Sequence, residues 1–288
     1  MPTEGTEKMK AIDVWCNIFT PEGMKKYYAV NPELKEVVDR WKLGERTKGY
    51  QVADFLKILD EAQVAKVIMP ALKIRSFLKQ ELIKDMGIEE IHDILKENPD
   101  RLKGMIGINP FGRMEGVREL ERAVREYGFV GAHIHPYGFG IPLNDAMYYP
   151  FYAKCVELDV PVMIQVGHSA ESMPSSMGRP ILLDDVALYF PELKIIAAHT
   201  GWPWVEELIA LAGKHRNVFI ATTAHAPKYW NKSLIQFINS WGRDKVLYGT
   251  DFPVLSHEES LLQIETLGLK EEAKSKLLLE NALKVFKL

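Results

Sequence analysis

The sequence predicts an α/β protein, a single (β/α)8 TIM barrel, on three observations. Short β-branched or apolar runs alternate with amphipathic stretches from one end of the chain to the other, the pattern of parallel strands joined by helical crossovers. Eight such units can be counted. No Gly/Ser/Pro-rich linker divides the 288 residues, so one barrel domain over 1–288 fits better than two doubly wound domains.

The first strand is expected over 11–16, in Ala-Ile-Asp-Val-Trp-Cys. A long insertion over 19–48 follows, then an amphipathic helix at 52–62 that leads into the second strand, 65–69. The third and fourth strands, 102–108 and 130–135, are separated by the helical pattern at 116–127, with a further helix at 88–97 before them. Helix 149–158 precedes the fifth strand, 161–166, after which a second insertion covers 169–180. Helices at 186–190, 204–211 and 234–239 alternate with strands at 193–198, 218–221 and 245–248, and helix formers at 270–286 close the chain. In a barrel both insertions belong to the catalytic face, where the βα loops gather, so both are candidate lids.

Composition narrows the function. With 47% apolar residues, 26% charged residues and a formal net charge of −3, the chain has a globular profile without a basic stripe for nucleic acid or a polybasic membrane anchor. The expected partner is a small molecule. No run reaches the length of a membrane span, and residues 1–10 carry two glutamates and no apolar core, so a cytoplasmic protein is expected. Cys16 and Cys155 sit in apolar contexts and read as reduced, buried thiols. The Gly-Phe-Gly at 138–140 lacks the pattern of a phosphate loop, and Ser169, Ser172, Ser175 and Ser176 lack a nucleophile elbow.

The histidines carry the chemistry. Of eight, His133, His135, His168, His199 and His225 fall at or just past predicted strand ends, so a barrel brings them to one mouth, whereas His92, His215 and His257 lie on helices or outer loops. Asp251 follows the last strand in Tyr-Gly-Thr-Asp-Phe-Pro and would face the same mouth as His199. General acid/base or metal chemistry is expected there. Trp15, Tyr137, Trp202 and Trp230 are aromatic residues at strand ends or mouth loops, and Arg179 lies in the second insertion. Together they suit a small cyclic or aromatic carboxylate held by a planar guanidinium, with Lys73 and Arg75 as alternative anion contacts.

Ala-Ala-His199-Thr-Gly201 after strand six and Tyr-Gly-Thr-Asp251-Phe-Pro after strand eight resemble the amidohydrolase-related family, the branch that includes aminocarboxymuconate semialdehyde decarboxylase-like enzymes and lactone hydrolases. Ile12-Asp13, Pro161-Val162 and Asn281-Ala282 extend the resemblance over essentially the whole chain. Metal-binding members of that family carry Ile-Asp-x-His-x-His at the first strand and Pro-Val-x-x-His-x-Gly at the fifth. Here Trp15, Asn17 and Gln165 stand at the three imidazole positions, and of the usual ligands only His199 and Asp251 remain. Indole cannot ligate a metal. The expectation is therefore a metal-free site, the alternative being one divalent ion such as zinc held by His133, His199 and Asp251.

The resemblance implies an enzyme acting on a small cyclic or aromatic carboxylate. Hydrolysis of a lactone or ester-like C–O bond is the first expectation, with Asp251 as general base, His199 polarising the reacting group, His135 and His168 beside them, and Trp15, Asn17, Gln165, Arg179, Tyr137 and Trp202 binding substrate. Non-oxidative decarboxylation is the alternative, and a catalytically silent ligand-binding barrel stands beside both. A homodimer is a family expectation.

Overall fold

Residues 11–288 are described by a computed structural model; the N-terminal segment read above for a leader lies outside them. The strands are β1 (Ala11–Asp13), β2 (Val64–Ala71), β3 (Lys73–Arg75), β4 (Leu82–Asp85), β5 (Leu102–Gly107), β6 (Gly131–Ile134), β7 (Val162–Gln165), β8 (Ile195–Ala198), β9 (Val218–Ala221) and β10 (Val246–Leu247). Eight of them form one curled parallel sheet in the order β1-β2-β5-β6-β7-β8-β9-β10, and each of the eight predicted strands is represented there. β3 and β4 pair as a separate antiparallel hairpin that the sequence reading missed. Strands β6, β7, β8 and β10 are buried along their whole length, as parallel strands covered on both faces must be.

The helices are α1 (Pro21–Met24), α2 (Pro32–Arg40), α3 (Val52–Glu61), α4 (Ile88–Leu95), α5 (Arg113–Tyr127), α6 (Tyr149–Glu157), α7 (Leu183–Tyr189), α8 (Val205–Lys214), α9 (Lys232–Ile238), α10 (His257–Glu265), α11 (Glu271–Ser275) and α12 (Asn281–Phe286). Their ends follow local chemistry. Asn31 caps α2 by accepting from the N–H groups of Glu33 and Leu34, with Pro32 at the first turn, and Ser256 caps α10 through Glu259 N–H. Gly128 ends α5 in the left-handed conformation. The first insertion is largely helical, through α1, a π turn at Lys25–Ala29 and α2, whereas 169–180 holds only short 3-10 turns. No helix among the described residues is long and apolar enough to cross a membrane.

β1 and β10 are not joined by a regular ladder. The barrel closes through Val14 N–H to Tyr248 O (3.1 Å), Asp251 N–H to Trp15 O (2.9 Å) and Asn17 N–H to Phe252 O (3.0 Å). The first strand, expected to reach residue 16, ends at Asp13 because that side chain turns back on its own chain: Oδ1 accepts from Trp15 N–H at 3.0 Å and from Thr250 N–H at 2.9 Å. Oδ2 accepts the Thr250 hydroxyl at 2.5 Å and meets His257 Nε2 at 2.9 Å. His257, expected in an outer position, is instead buried at the start of α10. Gly249 is needed at this seam, since a Cβ there would lie 2.4 Å from Thr223 Cγ2.

Asp13 is wholly buried and joins segments 237 positions apart. Removing one partner of such a group strands the others without water. Asp13→Ala is expected to lower stability by about 3–5 kcal/mol in urea denaturation; a loss below about 1 kcal/mol, the scale of a surface pair, would show that the seam holds without it.

Candidate active site

The C-terminal ends of the strands surround a cavity of about 110 Å³. Trp15 and Asn17 enter it after β1, Lys84 from β4, Gln165 from the end of β7, His168 from just before the second insertion and Glu171 from within it, and His199, His225 and Asp251 from the loops after β8, β9 and β10. Leu34, Val37, Val38 and Trp41 on or just after α2 supply an apolar wall. The first insertion thus covers the mouth, as a lid would.

Asp251 is the centre of the polar side. Asn17 Nδ2 donates to its Oδ1 at 2.7 Å and to Phe252 O at 2.9 Å, while Trp15 Nε1 donates to Asn17 Oδ1 at 3.1 Å. Burial pushes the Asp251 carboxyl up to about 8, against the Asn17 hydrogen bond, which favours the anion. At neutral pH the group is an acid, and its proton belongs on Oδ2 because Oδ1 already accepts from Asn17. A carboxyl held protonated has a proton to give, the opposite of the general-base role expected for it. Asp251 and His199 both adopt left-handed backbone, φ 57° and 59°, a conformation uncommon outside glycine and concentrated at functional sites.

His199 is neutral. Burial and the neighbouring His225 lower it to about 3, and burial lowers His225 to about 4. The Thr223 hydroxyl accepts His199 N–H at 2.9 Å and lies 2.8 Å from its Nδ1. With one lone pair so used, the hydroxyl can donate to Nδ1, which puts the ring proton on Nε2. Glu171 is an anion: burial would raise it, but His135 (Nε2 at 3.7 Å) and the Ser169 hydroxyl (2.9 Å) outweigh that and hold it at about 2.

The structure brings Trp15, Asn17, Gln165, His168, His199 and Asp251 to the cavity. His133, His135 and Tyr137 point inward but are wholly or almost wholly buried behind it. His133 packs edge-on to Trp15 at 4.7 Å with its Nε2 3.4 Å from Gln165, and His135 packs edge-on to Tyr137. Arg179 and Trp202 do not reach the cavity. Arg179 is half exposed, pairs with Glu207 at 3.2 Å and lies over Trp204, and Glu207 of α8 also accepts from Ile181 N–H, which ties the end of the insertion to that helix. Trp202 is partly exposed, edge-on to His168. Trp230 donates to His225 O. Lys73 is paired with Asp85 and Glu119, and Arg75 bonds Gln80 O, so neither faces the mouth. Lys84, Glu171 and Thr223 were missed by the sequence reading. Lys84 had no signal of its own, since the β3–β4 hairpin is not a barrel unit.

These residues do not fit a metal. Oδ1 of Asp251 faces an amide N–H, the Trp15 indole lies 5.0 Å from the His199 ring, and among the described residues no three His, Cys, Asp or Glu side chains are placed to hold one ion. The alternative of His133, His199 and Asp251 as a set falls with them.

A family model described as an amidohydrolase matches residues 78–288, and the chain belongs to that family. Among curated relatives, the 2-keto-4-carboxy-3-hexenedioate hydratase of Sphingobium sp. is 38% identical over 101 residues, 30% of each chain. The gamma-resorcylate decarboxylase of Polaromonas sp. is 27% identical over 240 residues, 67% of this chain and 72% of that one. The crystal structure of 5-carboxyvanillate decarboxylase from Novosphingobium aromaticivorans, complexed with manganese and 4-hydroxy-3-methoxy-5-nitrobenzoic acid, superposes with a TM-score of 0.74 at 19% identity, covering 99% of this chain and 98% of that one. It shares the fold. Further relatives matching most of the chain are likewise named as decarboxylases. The hydrolase expectation is overturned by these names, which favour the carboxy-lyase alternative.

Two outcomes follow from the geometry. Protein purified without added metal is expected to contain well under one equivalent of zinc or manganese by elemental analysis, and EDTA to leave its melting temperature unchanged; one tightly held equivalent would contradict the donor set described here. Arg179→Lys, at a half-exposed pair, is expected to change stability by less than about 1 kcal/mol and to leave carboxylate affinity unaltered in calorimetry. A selective loss of carboxylate binding would return Arg179 to the site.

Proposed function

We propose that the chain, acting as one barrel domain, is a non-oxidative carboxy-lyase for a small aromatic carboxylate, with Asp251 as the proton donor. The observation that carries this reading is a buried carboxyl, Asp251, facing His199's cavity with an apolar wall on its other side, a setting that favours the protonated form. Loss of CO2 from an aromatic ring needs a proton on the carbon that bears the carboxylate. Asp251 Oδ2–H supplies it; the C–C bond then breaks, its electron pair returns to the ring, CO2 leaves, and the Asp251 anion regains a proton from solvent. The net change is one carboxylate and one proton converted to arene and CO2. His199 Nε2–H would donate to a ring oxygen beside the reacting carbon. The apolar wall from α2 suits the ring and favours a departing neutral CO2 over a solvated carboxylate.

A catalytically silent barrel has no need to keep Asp251 and His199 facing one cavity. That Asp251 and His199 both line an open cavity favours a working enzyme.

The test is CO2 release and arene formation from 2,6-dihydroxybenzoate and 5-carboxyvanillate, and the behaviour of Asp251→Asn in it. That variant is expected to fold and to lose at least about 100-fold in turnover, the scale of general-acid catalysis. The parent's activity should fall as pH rises through about 8, when Asp251 loses its proton. The same group sets a stability trend. Its folded-state value is raised above the ordinary carboxylate value, so its contribution is fully present below about 4 and is lost as pH rises through about 8. Asn carries no such charge, so the melting temperature of Asp251→Asn relative to the parent should increase between pH 5 and pH 9. Undiminished CO2 release by the variant would remove Asp251 from the reaction.

A further inference from the structure

Two lysines are buried among the described residues, Lys73 and Lys84. Lys73 is fully accounted for by Asp85 at 2.6 Å and Glu119 at 3.3 Å. Lys84 is not. It is 3% exposed, its Nζ lies 3.7 Å from the centre of the Tyr28 ring, and neither a salt bridge nor a hydrogen bond from that Nζ to protein is formed. The nearby acids are otherwise engaged, Asp251 with Asn17 and Glu171 with Ser169 and His135. A buried ammonium with no directly paired anion is costly: burial lowers Lys84 to about 8, Glu171 and Asp251 favour its charge only at a distance, and a ring face returns only part of what water supplied. Lys84 also lines the same cavity as Asp251 and His199, opposite no other cation of the barrel strands.

We infer that Lys84 is the anion anchor of the site, receiving the carboxylate oxygen of an aromatic ligand whose ring lies against the apolar wall of α2. This deepens the carboxy-lyase reading and rests on it for the ligand's class. It assigns to a side chain on the β3–β4 hairpin the positive charge that a metal ion cannot contribute with these donors. The anchor is specific to anions: a neutral ligand of the same shape would fill the cavity without pairing the ammonium.

The test is binding, read without turnover. Benzoate and its neutral isostere benzamide are titrated calorimetrically into the parent, Lys84→Met and Lys84→Gln, with melting temperatures recorded in parallel. Lys84→Met is expected to lose about 10- to 100-fold in benzoate affinity, the scale of a charge-assisted hydrogen bond, while its benzamide affinity stays within about twofold. Without ligand, its melting temperature should equal or exceed the parent's, because a buried unpaired charge has been replaced by an apolar chain of similar shape. Equal losses for both ligands with a lowered melting temperature would assign Lys84 to packing on Tyr28 and overturn the inference, as would a parent that fails to bind benzoate at millimolar concentration. If Lys84→Met does not fold, Lys84→Gln is read against the same outcomes. Benzoate bound through Lys84 in a protein that releases no CO2 would defeat the carboxy-lyase reading and leave the anchor standing.

Discussion

The Asp13 carboxylate is the constraint on which the site depends. It gathers Trp15 N–H, Thr250 N–H, the Thr250 hydroxyl and His257 Nε2, and so fixes the end of the first strand against the turn that follows the last. Trp15 and Asn17 lie within four positions of it on one side, and Asp251 is the residue next to Thr250 on the other. The 2.7 Å contact between Asn17 and Asp251 is therefore a consequence of the seam. The left-handed backbone at Asp251 is held the same way, by Asp251 N–H on Trp15 O and by the bonds to Thr250 on its other side.

The electrostatics follow from how dry that corner is. Where imidazoles would be expected by resemblance, this chain presents an indole and an amide, which bring no charge: Trp15 Nε1 donates to Asn17 Oδ1, and Asn17 Nδ2 donates to Asp251. Burial outweighs both the Asn17 hydrogen bond and the charge of Lys84, so the carboxyl keeps its proton. His199 and His225 are neutral for the same reason, since burial disfavours imidazolium.

The barrel was legible because parallel strands buried on both faces are written as short continuous apolar runs, and eight such runs survive any uncertainty in their ends. The mouth histidines were legible for the same reason, as strand ends are where a barrel collects them. What could not be read is what depends on neighbours distant in sequence. Arg179 resembles an anion anchor until Glu207 is placed beside it, and His257 resembles a surface residue until Asp13 is. Lys84 and Lys73 differ little as letters, but the hairpin register sets Lys73 opposite Asp85 and leaves Lys84 facing the cavity. The role of Asp251 turned on burial, which no local pattern encodes.

The first insertion ties these parts to ligand entry. Its helix α2 is weakly apolar as a whole, with Leu34 alone buried, so it has little reason to pack firmly on the barrel by itself. It is held instead by polar contacts at its rim: Glu33 to the Ser76 hydroxyl beside the hairpin, Arg40 to Ala170 O in the second insertion, and Arg46, just beyond it, to Val254 O after the last strand. Each of these anchors is a segment that also lines the cavity or flanks one that does. Two of the three are single bonds to backbone carbonyls at exposed or partly exposed positions, contacts worth little individually and easily exchanged with water. None of these contacts involves Asp13 or its partners, so the wall is fastened independently of the seam that sets the geometry around Asp251. The division is between an acid set by buried hydrogen bonds and a wall set by exposed or part-buried ones, the kind more readily exchanged with water.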